Sequence, residues 1–295
     1  MILFLAHGVG IKVHIFNFPM YKLDQLNIFE CKNSLGEGLF VKNGDAAWVD
    51  INKKIIYVSD KNDTFKYNTK YTPSIIFEFD NSRIIYGSEI GVISFCRETH
   101  YEKCIKHIPF KLNNYRSNDG GWCGNHQLMS FMHCEIPHKK TGFIYIIGDD
   151  EWKLVDDSIH IPNTFIEIMP SKILISDSLT GEIWLYHIDE DGHLIKKTLW
   201  TSMDDGNSPD GGCMVGKHVF ISIWDGQSIG IYNLNGLLLY TLSVPVIRPT
   251  NCKFDKKECK LWLTSASEGL SKADILKYPN SGNTFTYNLE YISSC

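Results

Sequence analysis

Apolar, β-branched and aromatic residues fall in short runs along the chain, and no long stretch carries the 3.6-residue spacing of an amphipathic helix. Runs centred on Trp48, Ile85, Leu128, Leu174, Phe220 and Trp262 lie 37, 43, 46, 46 and 42 residues apart. A second run follows each: Ile55-Ile56-Tyr57, Gly91-Val92-Ile93, Phe143-Ile144-Tyr145, Ile183-Trp184-Leu185-Tyr186, Ile229-Gly230-Ile231-Tyr232 and Ile275-Leu276-Lys277-Tyr278. Turn formers such as Ser178-Leu179-Thr180-Gly181, Glu190-Asp191-Gly192 and Asp225-Gly226-Gln227 separate strand from strand. A repeat of roughly 40 to 50 residues built from short strands is the signature of four-stranded propeller blades. The pattern therefore predicts an all-β fold, a six-bladed β-propeller, as a single domain over residues 1–295 without a linker. Six units fill the chain from about residue 35, leaving Leu26-Asn27-Ile28-Phe29-Glu30 as a spare strand. That strand can pair into the last blade and close the ring, which removes an open sheet edge prone to aggregation. Residues 1–20 have no place in the repeat and read as an N-terminal extension.

Polar residues recur at one phase of the same repeat. Asp210 lies ten residues before Phe220, Asn163 eleven before Leu174, Asn118 ten before Leu128 and Glu37 eleven before Trp48. Ser208-Pro209-Asp210-Gly211-Gly212 reads as a turn that aims one carboxylate. In a propeller, residues of equal phase converge at one mouth of the central channel. Glu37, Asn163 and Asp210 would then meet as three oxygen donors, two of them anionic. Such a set suits a hard divalent cation, Ca²⁺ first, with Mg²⁺ or Mn²⁺ as alternatives and Zn²⁺ less favoured. Asp, Asn and Gly before a strand are also ordinary turn formers, but three donors at a matched phase outweigh that reading. At the same phase stand Arg116-Ser117-Asn118-Asp119-Gly120 and Pro249-Thr250-Asn251. Arginine occurs only as Arg83, Arg97, Arg116 and Arg248. A scarce Arg116 beside Asn118 fits recognition of a polyhydroxylated or carboxylated ligand, the alternative being a structural ion pair. Glu135 follows the run of Leu128, read as the inner strand of the third blade, from which a side chain reaches the mouth.

Composition narrows the partners. The net charge is -5, the pI is near 6.1, and Lys and Arg form no cluster longer than a pair. A nucleic-acid surface and a polybasic membrane patch are both disfavoured, leaving a small molecule as the expected partner and a monomer or weak dimer as the expected assembly. Nine cysteines, odd in number and without a Cys-x-x-Cys pair, read as free thiols of a reducing compartment. The opening Met1-Ile2-Leu3-Phe4-Leu5-Ala6 lacks a basic flank and is cut short by Gly8 and Gly10. The expected location is cytoplasmic. No Gly-x-Ser-x-Gly elbow is present. His126, His133 and His138 lack a His-Glu-x-x-His frame, so they read as surface or structural histidines.

Leu35-Gly36-Glu37-Gly38 with Trp48-Val49-Asp50-Ile51, then Arg116 to Gly120, Asp177-Ser178-Leu179, Ser208 to Gly212 and Arg248-Pro249-Thr250-Asn251 form an ordered set. Together these segments resemble the gluconolactonase and regucalcin (senescence marker protein) family over nearly the whole chain after about residue 30. The resemblance implies one divalent metal in the channel of a six-bladed propeller, with the metal ligands mapping onto Glu37, Asn163 and Asp210. It implies sugar-lactone binding by Arg116 and Asn118, with Glu135 as a third contact. Two departures stand out: Asn163-Thr164 replaces a common Asn-Gly, and Ser117 replaces an aromatic. The expected activity is metal-assisted opening of a sugar-derived or other small lactone to its hydroxy acid, with Asp210 as the general base. A non-catalytic calcium-binding regulator or scaffold, and a related metal-dependent esterase, are the alternatives.

Overall fold

In the computed structural model, Trp48, Ile85, Leu128, Leu174, Phe220 and Trp262 each sit on the second strand of a four-stranded antiparallel sheet. The structure describes residues 20–60, 63–149, 151–204 and 206–292; of the extension expected at residues 1–20, all but Met20 lies outside them. Strand β1 (Met20–Phe29) comes first. Blade one is β2 (Gly36–Lys42), β3 (Asp45–Asp50), β4 (Ile55–Asp60) and β5 (Asp63–Asn68); blade two is β6 (Ile75–Phe79), β7 (Arg83–Ser88), β8 (Gly91–Cys96) and β9 (Glu102–His107). Blade three is β10 (Tyr115–Cys123), β11 (His126–His133), β12 (Gly142–Ile146) and β13 (Lys153–Ile159). Blade four is β14 (Pro162–Met169), β15 (Lys172–Asp177), β16 (Glu182–Ile188) and β17 (Leu194–Ser202). Blade five is β18 (Ser208–Val215), β19 (His218–Trp224), β20 (Ser228–Asn233) and β21 (Leu238–Ser243). Blade six is β22 (Arg248–Asp255), β23 (Lys260–Ala266), β24 (Thr284–Ile292) and, as its outer strand, β1. The molecule is a six-bladed β-propeller closed by its own N-terminal strand.

The closing strand is longer than the segment Leu26–Glu30 that the spacing singled out. It pairs with β24 from Met20↔Ile292 to Phe29↔Thr284. Tyr21 also reaches blade five, where its hydroxyl pairs with His218 Nδ1 at 3.0 Å and its backbone N–H donates to the Tyr240 hydroxyl at 2.6 Å.

One expected strand is a helix instead. Ile275-Leu276-Lys277-Tyr278 falls on and just after α1 (Lys272–Lys277), and the third strand of blade six is β24. Ser271 Oγ accepts the Asp274 N–H at 3.1 Å while the Asp274 carboxylate accepts the Ser271 N–H at 3.0 Å. This reciprocal box satisfies two N-terminal donors and starts a helix turn. The apolar residues of the segment then face outward, Leu276 being 82% exposed.

The core lies between blades, because each sheet buries both faces against its neighbours. Val49, Ile56 and Val58 of blade one pack on Ile84, Tyr86, Ile93 and Phe95 of blade two. Ile144, Ile146 and Val155 of blade three meet Ile173, Ile175 and Tyr186 of blade four. Each fully buried side chain of this kind contributes about 1.5 to 3 kcal/mol. No disulfide joins the eight described cysteines, and no helix among the described residues is long and apolar enough to cross a membrane.

Candidate active site

The matched phase of the sequence is a repeated backbone irregularity. Five of the six innermost strands oppose two residues to one on the neighbouring strand, and the register breaks between Glu37 and Phe40, Ser117 and Gly120, Asn163 and Ile166, Pro209 and Gly212, and Pro249 and Cys252. A bulge of this kind re-aims a side chain that regular pleating would direct elsewhere. Glu37, Asn118, Asp119, Asn163, Asp210 and Asn251 all sit in or beside these bulges. The segment Ser208–Gly212, read from sequence as a turn, is thus the start of strand β18. Pro209 is tolerated there because this is the edge strand of its blade. Gly38 is required in blade one: its φ is +59°, and an added Cβ would lie 2.5 Å from the Ser74 carbonyl oxygen.

The loops entering these strands are pinned by aspartates at the ends of second strands. Asp50 accepts the N–H groups of Ser34 and Leu35 at 2.8 and 3.2 Å, and Asp177 accepts those of His160 and Ile161 at 2.8 and 3.2 Å. Each holds in place the residues just before an innermost strand, β2 with Glu37 for Asp50 and β14 with Asn163 for Asp177.

Glu37, Arg116, Asn118, Asn163 and Asp210 line one cavity of about 330 Å³. Glu37, Asn163 and Asp210 are buried, at 7%, 7% and 4% exposure. Asn163 Nδ2 donates to Asp210 Oδ1 at 2.5 Å, and the Gly211 N–H donates to the same oxygen at 3.0 Å. The Gly38 N–H donates to Glu37 Oε2 at 3.2 Å. Arg116 Nη1 donates to Asn118 Oδ1 at 2.7 Å and to the Ser117 carbonyl at 3.0 Å, and Asn118 Nδ2 donates to the Pro162 carbonyl at 2.9 Å. Glu135 is not among the lining residues. It is exposed in the loop after β11, which is the second strand of its blade and not the innermost one, so it starts a layer away from the channel.

Three buried carboxyls stand close together with little to neutralise them. Burial, then the charge of Asp119, pushes Glu37 up to about 8, against the hydrogen bond to Asp210, the Gly38 N–H and Arg116. Burial, then the charges of Glu37 and Asp119, holds Asp210 well above the usual carboxylate range. Asp119 is pushed up to about 6 by burial, against the pull of Lys253. Arg116 is itself pulled down by desolvation, which the nearby Cys134, Glu268, Glu37 and Asp210 oppose. Without a cation, Glu37 and Asp210 therefore keep a proton between them at neutral pH. A divalent cation would replace that proton, and the all-oxygen set of Glu37, Asn163 and Asp210 matches the preference of a hard ion. The residues present fit such a metal.

Residues 35–267 match the model of the SMP-30/Gluconolactonase/LRE-like region. The chain belongs to this family. Regucalcin of Danio rerio is 29% identical over 135 residues, a match that spans 44% of this chain and 46% of that protein, less than half its length. Among solved structures, a calcium-binding regucalcin from Agrobacterium tumefaciens superimposes with a TM-score of 0.82, 19% identity, and 92% and 96% of the two chains covered. A gluconolactonase from Xanthomonas campestris superimposes with a TM-score of 0.67, 15% identity, and 89% and 88% covered. At these identities the structural likenesses speak to the fold.

Where the SMP-30/gluconolactonase family commonly has Asn-Gly, Thr164 follows Asn163 and adopts a φ of 83°, a conformation that glycine takes freely and a β-branched residue does not. Its hydroxyl donates to the Asp210 carbonyl at 2.7 Å and lies 2.7 Å from Ser176 Oγ. Thr164 thereby holds the backbone of Asp210, a role not assigned from the sequence. Asp119, Trp224 and Glu268 were likewise unassigned. Asp119 was visible inside Arg116–Gly120, while Trp224 and Glu268 come from the ends of other strands and reach the cavity only through the closure of the ring.

Proposed function

We propose that this protein is a metal-dependent hydrolase that opens a small lactone to the corresponding hydroxy acid. The observation that carries the reading is the buried trio Glu37, Asn163 and Asp210, in a cavity that also holds Arg116, within a chain of the SMP-30/gluconolactonase family. Glu37, Asn163 and Asp210 would hold the cation, Ca²⁺ being favoured by the oxygen-only set. When bound, the cation supplies Lewis acidity at the ester carbonyl and lowers the cost of developing negative charge.

The chain's own groups divide the remaining work. Asp210 Oδ1 already accepts from Asn163 and Gly211; once the proton held between Glu37 and Asp210 is displaced, the Asp210 carboxylate would take a proton from the attacking water. As the water oxygen bonds to the carbonyl carbon and the ring C–O bond breaks, that proton passes to the leaving ring oxygen. Arg116, with Nη1 committed to Asn118, keeps its other N–H groups for the substrate's oxygens.

Turnover of a lactone panel should vanish with EDTA and return with one of Ca²⁺, Mg²⁺, Mn²⁺ or Zn²⁺ added singly. Tight Ca²⁺ binding with no turnover of any lactone would instead favour a non-catalytic calcium-binding protein, and the Agrobacterium regucalcin is a calcium-binding protein.

A further inference from the structure

Few hydrogen-bond donors remain free in the cavity wall. Two of its serines have spent their hydroxyl protons on backbone: Ser178 Oγ donates to the Pro209 carbonyl at 2.7 Å and Ser208 Oγ to the Ser178 carbonyl at 2.5 Å. Asn118 uses Nδ2 on the Pro162 carbonyl and Oδ1 on Arg116. Glu135, the third sugar contact implied by the family resemblance, faces solvent outside the cavity. What remains to donate to a polar ligand is the outer N–H groups of Arg116, and what remains to accept is the carboxylate cluster, the exposed Glu268 and the lone pairs of Ser178 and Ser208 Oγ.

The rest of the lining is apolar, above all Met132, Ile161, Leu179 and Trp224. Trp224 is held as a fixed wall: the Arg248 guanidinium lies 4.8 Å from its ring centroid, and Arg248 is in turn tied to Asp225 at 2.6 Å and to the Glu268 carbonyl. Leu179, on the turn after β15, is 43% exposed and presents part of its side chain to the cavity. A polyhydroxylated ring placed here would find few donors for its hydroxyl oxygens and would set its hydroxyls against apolar wall, a desolvation cost. An alkyl or aryl group would gain contact.

From this division we infer that the substrate is an amphipathic lactone, its ester ring at the carboxylate cluster and Arg116, and an apolar substituent against Trp224, Leu179, Ile161 and Met132. The inference rests on the hydrolase reading above and narrows its substrate class. Burial of each added methylene at such a wall is worth roughly a threefold gain in kcat/KM until the cavity is filled.

The experiment compares γ-lactones carrying methyl to hexyl substituents with glucono-1,5-lactone, on the metal-loaded protein. The hexyl compound should exceed the methyl one by about 30-fold or more, and should exceed the polyhydroxylated one. Trp224→Ala should cut the hexyl-to-methyl ratio at least about fivefold. Leu179→Asp, a change on an exposed turn that leaves folding intact, should do the same if Trp224→Ala fails to fold. A ratio near one in wild type, or unchanged ratios in the folded variants, or a preference for the polyhydroxylated lactone, overturns the inference while leaving the hydrolase reading in place. Binding of the matching non-hydrolysable lactams, followed by calorimetry, separates the two claims. Lactam affinity that rises with chain length, with no lactone turned over, keeps the amphipathic cavity and sinks the hydrolase. Chain-independent affinity with no turnover sinks both.

Discussion

Thr164 carries a conformational cost of about 1 to 3 kcal/mol at φ 83°, and its hydroxyl secures Asp210 in return. Thr164→Val keeps the shape but leaves the buried Asp210 carbonyl without its donor, so chemical denaturation should show a loss of about 1 to 3 kcal/mol, largely restored in Thr164→Ser. Equal stability of Val and Ser variants would show that the hydroxyl does nothing. The carboxyls make a second expectation. Because Glu37 is raised from 4.5 to about 8, the folded state binds more protons than the unfolded state across that window, and stability must fall as pH rises through it. The melting temperature of the metal-free protein should drop between pH 5 and 8, the drop should shrink in Asp210→Asn, and saturating Ca²⁺ should remove most of it. A flat profile without metal would mean that the carboxyls are not crowded. Sequence spacing found Glu37, Asn163 and Asp210 because the bulge recurs at the same count from the second strand. Asn118, which spacing also picked out, lines the cavity, while its bulge neighbour Asp119 is buried outside that lining and acts on Glu37 and Asp210 through its charge, a role spacing could not show. Spacing also took the Leu128 run for the inner strand, whereas that run is the second strand and Glu135 follows it in an exposed loop outside the cavity lining.

Among the elements, the inner strands decide the site because their bulges bring side chains from blades one, three, four and five to one place. Gly38 shows how little slack there is, since its Cβ position already lies 2.8 Å from Ile75 Cα as well as close to Ser74. Gly38→Ala should cost about 2 kcal/mol or more through the forced φ and the backbone clash. It should also weaken metal binding by displacing the N–H that supports Glu37. Unfolding curves and a metal titration on one preparation check both, and an unperturbed variant would contradict the assigned backbone contact. The second and third strands were legible because Val, Ile and aromatic residues cluster where both sheet faces are buried. Helix α1 was not, because Ile275 and Leu276 look like a strand run until Ser271 and Asp274 are read as a capping box.

At the scale of the whole molecule, closure by β1 and occupation of the channel are the two features that tie all blades together. Leu23 and Ile28 of β1 pack on the cluster of Phe220, Ile231, Leu261 and Phe285. Replacing both by Ala should cost about 2 to 5 kcal/mol in total, and it should promote self-association by freeing the edge of β24, to be followed by denaturation and light scattering. A metal ligated by residues of blades one, four and five would act as a second clasp and raise the melting temperature by mass action. The measurement that bears most directly on the account is a calorimetric Ca²⁺ titration of the metal-free protein beside its Glu37→Gln and Asp210→Asn variants. One site per chain in the wild type, with protons released at neutral pH and affinity falling at least about tenfold in each variant, is the predicted result. Wild-type affinity retained in both variants would contradict it.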